Sequence, residues 1–176
     1  MSGTTTIARP ASGEYAPFYA GYVGSVPDGD LIEILSQQRT EATQLFGAID
    51  EARSRFRYAP GKWTIAEVLG HIIDAERVFT YRALTFARGD ASHLPSFDEN
   101  AWAATSNAGA RTMKSLLEEY SAVRAATIAL FRSFGPAEIA RTGVASKNPI
   151  SVRAILYIVA GHERHHLRIL RERYLS

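Results

Sequence analysis

Three of the five histidines of this chain fall within five residues, in the stretch AGHERHHLRIL from Ala160 to Leu170. The same stretch contains His-Glu-x-x-His, from His162 through Glu163 to His166. Imidazoles at i and i+4 project side by side from one face of a helix, and both can reach one metal ion. In a zinc peptidase built on this motif, Glu163 would be the general base acting on zinc-activated water. That chemistry needs a third ligand downstream. Only ten residues follow His166, LRILRERYLS, and their one candidate is Glu172, six positions on along the same helix. The longer form of the motif wants glycine and histidine three and six positions past His166, where Ile169 and Glu172 stand. The peptidase reading lacks its third ligand, and the chain is not expected to be a zincin.

The elements that carry these histidines give a better partner. On the last helix, read from Ser151 to about Tyr174, the inward positions are Val152, Ile155, Val159, His162, His166 and Ile169. The step is three or four throughout, so His162 and His166 stand where apolar residues should face the core. His165 lies about 100° round from His166, on another face. Two buried imidazoles without partners are costly, because their ring nitrogens need satisfying. The second helix starts at Thr64, which forms a capping box with Glu67, with Trp63 and Val68 in the staple positions. Its stripe runs Ile65, Val68, Ile72, Ala75, Phe79, Ala83 and Phe86, and His71 falls within or beside it. His71 lies about two turns into its helix, and His162 and His166 two to three turns from the end of theirs. Antiparallel packing would bring all three rings to one level. Three histidines on two helices, with room for water, describe an open metal site of catalytic type.

Two more amphipathic helices complete the pattern. The first is expected from the N-cap Asp30 to near Phe56, through Leu31, Ile34, Leu35, Leu45, Phe46 and Ile49. The third is expected from about Thr112 to Phe134 and is stopped by Gly135-Pro136, after which AEIAR can add one short turn. YAPGKW separates the first two helices, and residues 91–111 form a long link. Strand-type alternation and internal repeats are absent from the pattern. The expected fold is all-α, a four-helix bundle over residues 28–176. Residues 1–27, rich in Gly, Pro, Ser and Thr around EYAPFYAGYV, read as a flexible or surface-lying segment.

The blocks PGKWTIAEVLGHIIDAERVF and SVRAILYIVAGHERHHLRILRERY resemble the DinB-like (YfiT-like) superfamily of bacterial four-helix-bundle metalloenzymes. The likeness runs from Asp30 to Tyr174, strong in these two blocks and generic elsewhere. It implies one divalent metal ion per protomer, commonly zinc or nickel, held by His71, His162 and His166 with water completing the shell. It also implies hydrolysis or thiol-dependent S-transfer on a small molecule, with a low-molecular-weight thiol as cosubstrate in the second case. The superfamily name derives from DNA-damage induction and implies no DNA binding.

Composition narrows the rest. Net charge is +2, too mild to argue for a nucleic-acid partner. The absence of cysteine removes disulfides, thiolate ligands and a cysteine nucleophile. No apolar run is long enough to span a membrane, and the N-terminus lacks the apolar core of a signal peptide, so the expected location is the cytoplasm. Asp74, Glu163 and His165 are placed to orient a ring or a water, or else are ordinary exposed polar groups. Asp98, Glu99 and Trp102 could come from the 91–111 link to the site mouth, and His93 reads as a solvated loop residue. Glu163 would be a weak base, rotated about 100° off the inner stripe. The alternative to an enzyme is a non-catalytic helical metal-binding or interaction module, with a homodimer left open. The three-ligand count favours the enzyme, since a structural zinc site wants a fourth protein ligand.

Overall fold

Each of the four long helices begins at a residue whose side chain accepts from the first-turn amides. In a computed structural model that describes residues 7–176, these helices are α2 (Leu31–Gly47), α4 (Ile65–Ala87), α6 (Met113–Arg132) and α8 (Val152–Ile169). Asp30 Oδ1 accepts from the Ile32 amide at 2.8 Å. Thr64 Oγ1 accepts from the Glu67 amide at 3.2 Å, and Glu67 Oε2 returns the favour to the Thr64 amide at 2.7 Å. Thr112 and Ser151 cap α6 and α8 through the Ser115 and Ala154 amides, at 3.2 and 3.1 Å. Each cap satisfies amides that a helix leaves open at its start. Short helices fill the links: α1 (Ala20–Ser25), α3 (Glu51–Ser54), α5 (Glu99–Thr105) and α7 (Pro136–Ile139).

The four long helices form a bundle, and the second and fourth of them, α4 and α8, are extensively packed neighbours. They run antiparallel: Tyr174, just past the end of α8, donates its hydroxyl to the Trp63 carbonyl at the start of α4, at 2.9 Å. The first helix is shorter than its apolar pattern suggested. It stops at Gly47 rather than near Phe56, because Asp50 accepts from the Arg53 amide at 2.7 Å and caps a new helix, α3. No described helix is long and apolar enough to cross a membrane.

The expectation of no strands is corrected by one small hairpin. β1 (Thr142–Ala145) pairs antiparallel with β2 (Asn148–Ser151), which runs straight into α8. The turn is made by Ser146 and Lys147 at φ 52° and 67°. Such turns are read from Asn-Gly or Asp-Gly, and Ser-Lys gives no such signal. Gly143 lets β1 lie against the Phe86 ring, where any Cβ would overlap. Leu94 bridges to Ala145, which ties the link before α5 to the hairpin.

Of residues 1–27, positions 1–6 lie outside the described residues. The rest drapes over α8. Ile7, Val23 and Val26 are buried in the core, and Tyr157 donates its hydroxyl to the Ile7 carbonyl at 3.1 Å. α1 crosses α8 at Gly161, where a Cβ would overlap the Tyr22 carbonyl. Covered by α1, α2 and α4, α8 is buried on nearly all sides from Val152 to Glu163, Arg153 excepted.

The apolar core is in two parts. One holds Leu35, Phe79, Ile128 and Ile155, the other Phe46, Ile72, Tyr120 and Leu167. Between them runs a belt of buried polar side chains from all four long helices: Gln38, His71, Glu76, Arg124, His162 and Glu163. Buried polar groups must find partners or stay costly. The belt divides on that point.

Candidate metal centre

On one side of α8 the three histidines converge. His71 Nε2 lies 3.0 Å from His162 Nε2, and His166 Nε2 lies 3.1 Å from the same atom. All three donor nitrogens fall within 4.8 Å of one another. His71 comes from α4, and His162 and His166 from successive turns of α8. A neutral imidazole nitrogen offers either one proton or one lone pair. His162 Nε2 therefore cannot serve two nitrogens well, and every proton arrangement leaves at least one of the two contacts without a full hydrogen bond. Burial holds the rings neutral: it lowers the pKa of His71 to about 4 and that of His166 to about 3. His162, between them, is also lowered well below the ordinary imidazole value, by burial and by its two neighbours. Nitrogens bound at about 2.0–2.1 Å to one cation stand roughly 3.0–3.4 Å apart. The two close contacts fit that spacing.

The surroundings are aromatic. Trp63 lies against His71 with ring centroids 4.7 Å apart and stacks over His166 at 6.5 Å. Tyr22 and Phe79 approach His162 edge-on at 5.6 and 5.8 Å. Beyond the rings opens a cavity of about 200 Å³, whose other walls include Tyr19, Arg82, Phe97, Glu99 and Ser146. That is below the roughly 300–1,000 Å³ of sites for drug-sized ligands.

On the other side of α8, Glu163 enters an ion network instead. Arg124 donates Nε and Nη2 to the two oxygens of Glu76, both at 2.8 Å, and Nη2 also to Glu163 Oε2 at 2.7 Å. Tyr120 donates its hydroxyl to the same Glu163 oxygen at 2.7 Å. Glu163 is 1% exposed and Arg124 fully buried. Burial pushes Glu163 upward, while Arg124 and Tyr120 hold it down.

The other polar groups singled out in the sequence do not join the cluster. Asp74 points to Arg77, 3.9 Å away, and makes no hydrogen bond to a ring. His165 lies against Tyr22, with ring centroids 5.2 Å apart, and lines a separate outer groove with Phe18 and Arg168. His93 is exposed. Asp98 caps α5 through the Asn100 and Ala101 amides, and Trp102 packs on Phe97. Glu99 alone of the loop candidates reaches the cavity wall. Sequence reading gave Tyr22, Arg82, Ser146 and the Glu76–Arg124–Tyr120 network no role. Glu76 and Arg124 left a trace in their spacing, Glu76 four residues after Ile72 and three before Phe79, Arg124 four residues after Tyr120 and four before Ile128. Tyr22 and Ser146 left none.

A four-helix bundle with a histidine cluster facing a cavity defines the class, and the comparisons give the family. Residues 34–170 match the DinB superfamily model, and the chain belongs to that superfamily. A protein of Geobacillus kaustophilus (strain HTA426), named "Putative metal-dependent hydrolase", is 31% identical over 113 residues. That match spans 62% of this chain and 62% of the relative. YfiT from Bacillus subtilis aligns over 92% of each chain with a TM-score of 0.72 at 20% identity. It is described as a probable metal-dependent hydrolase with an unusual four-helix bundle topology. At that identity the likeness speaks for the fold.

Proposed function

We propose that this protein is a metal-dependent hydrolase of small molecules, with one divalent cation held by Nε2 of His71, His162 and His166. The observation that carries the reading is the convergence of three neutral Nε2 atoms, two from buried and one from a half-buried histidine, that cannot satisfy one another. Three imidazoles suit zinc or nickel. The ion, when bound, would supply Lewis acidity to a substrate oxygen and to water. The name of the Geobacillus relative supports hydrolysis over thiol transfer.

The chain's own residues do the rest. Trp63, Tyr22 and Phe79 shield the donor nitrogens and hold the rings in place. Glu163 is tied to Arg124 and Tyr120, so it is not free to serve as a base. Glu99 is the carboxylate on the described cavity wall, and we assign proton transfer to it. Tyr22, its pKa raised by burial, keeps its proton at neutral pH and is a donor to substrate.

Elemental analysis of purified protein should return about one zinc or nickel per chain. His162→Ala should lose the metal and, with it, hydrolysis of a panel of esters and amides. Activity undiminished in that variant would overturn the reading. Turnover only when a thiol and an electrophile are supplied together would move the reaction to S-transfer.

A further inference from the structure

Arg82 is the cation of the cavity, and no charge in the described protein neutralises it. It is 3% exposed, on α4, eleven residues and three turns after His71, and so on the same face. Its Nη2 donates to the Pro95 carbonyl at 2.7 Å and to Ser146 Oγ at 3.2 Å, both neutral acceptors. None of the ion pairs among the described residues includes it. Arg124, fully buried, has two carboxylates. A buried guanidinium without a counter-ion is costly, and arginine does not escape by losing its proton. Arg82 lines the open cavity beside Tyr19, whose hydroxyl is a further neutral hydrogen-bonding group.

The place of Arg82 says what it is for. The Phe79 ring spans the gap to the histidines: its centroid is 5.8 Å from the His162 ring centroid and 5.9 Å from the Arg82 Cζ. Three turns of helix separate the His71 and Arg82 backbones by about 16 Å. Helical side chains lean toward the N-terminus, which carries the guanidinium back toward the triad. A planar fork of donors matches a carboxylate in two parallel hydrogen bonds. A phosphate group, with more charge, would want a second cation, whereas this cavity adds only the Glu99 carboxylate at its exposed side.

We infer that the cavity binds a small organic carboxylate, its anionic end paired with Arg82 and its reacting group, several bonds away, at the histidine cluster. The second half rests on the proposed hydrolase reading; the first does not.

The test uses 4-phenylbutanoate, its neutral amide and 4-phenylbutylphosphonate as probes. Binding is measured by calorimetry on the full chain, both chelator-treated and zinc-loaded. The expected result is that chelated wild type binds the carboxylate at least about tenfold tighter than the amide. Arg82→Gln should abolish that preference while binding zinc with unchanged stoichiometry. Should Arg82→Gln fail to fold, Arg82→Lys keeps the charge without the fork and should reduce the preference about tenfold. Equal binding of acid and amide, or no binding of either, overturns the inference. So does a preference that survives in Arg82→Gln, a preference that appears only with zinc, or tighter binding of the phosphonate. Failure of wild type to take up either zinc or nickel while the carboxylate preference holds would sink the hydrolase reading and leave the anion site standing.

Discussion

His162 and Glu163 are consecutive residues of α8, both buried, and they belong to opposite kinds of polar site. Glu163 shares Arg124 with Glu76 and accepts from Tyr120, so every charge there has a counter-charge or a hydrogen bond. His162 meets only other imidazoles, at 3.0 and 3.1 Å, with no group that satisfies all three nitrogens. The first arrangement is complete as folded and joins α4, α6 and α8. The second is complete only with a further species. Closed polar networks hold a bundle in register, and open ones mark where a ligand belongs.

Removing a member should separate the two most sharply at Arg124. Arg124→Met leaves two buried carboxylates without their cation and should cost about 3–5 kcal/mol in urea denaturation. His162→Ala, which removes no charge, should leave the chelated protein folded. A loss for Arg124→Met below about 1 kcal/mol would mean that the network does not hold the bundle.

The next effect probes how the open site is assembled. Gly161→Ala drives a methyl into the Tyr22 carbonyl and should displace α1 together with the tyrosine against His162. A cost of about 1–3 kcal/mol is expected, with a weakened metal affinity. Unchanged Tm and affinity would show that α1 is not needed to form the site.

Acid should act on the open site through its histidines. In the chelated protein the folded pKa values of His71 and His166, about 4 and about 3, lie below the 6.5 of a free imidazole. Between those values the unfolded chain binds more protons, so stability is full above about pH 6.5 and falls as pH drops toward 4. Glu14, held to about 2 by Arg153, adds a lower window, its contribution present above 4.5 and lost as pH falls toward 2. Urea midpoints from pH 8 to 3 measure the first. Midpoints that stay flat between pH 7 and 4.5 would contradict buried neutral histidines. Smallest of all, His93→Ala should change stability by less than about 0.5 kcal/mol and leave metal uptake intact.

Much of this was written in the helical pattern. The stripe positions of His162 and His166, and the approach of His71, follow from a period of 3.6 residues, and the structure brings those three together. The caps at Asp30, Thr64, Thr112 and Ser151 are local chemistry and stand where the sequence puts them. Glu163 was misjudged for a physical reason. Its position off the stripe implies exposure only for a helix with one wet face, and α8 has none over that stretch. The hairpin was missed because Ser146-Lys147 carries no turn signature and each strand has four residues.

The sequence by itself determined four amphipathic helices and a pair of imidazoles one turn apart, because both depend on short-range geometry. Tertiary structure decided the rest. It chose which helices face each other, laid α1 over Gly161, and brought Arg82 and the hairpin's Ser146 to the wall of the histidine cavity. Tyr22 and Gly161, which meet where α1 crosses α8, are 139 positions apart in the chain. No periodic pattern along the chain encodes such meetings, because they are set by how all the buried faces pack at once.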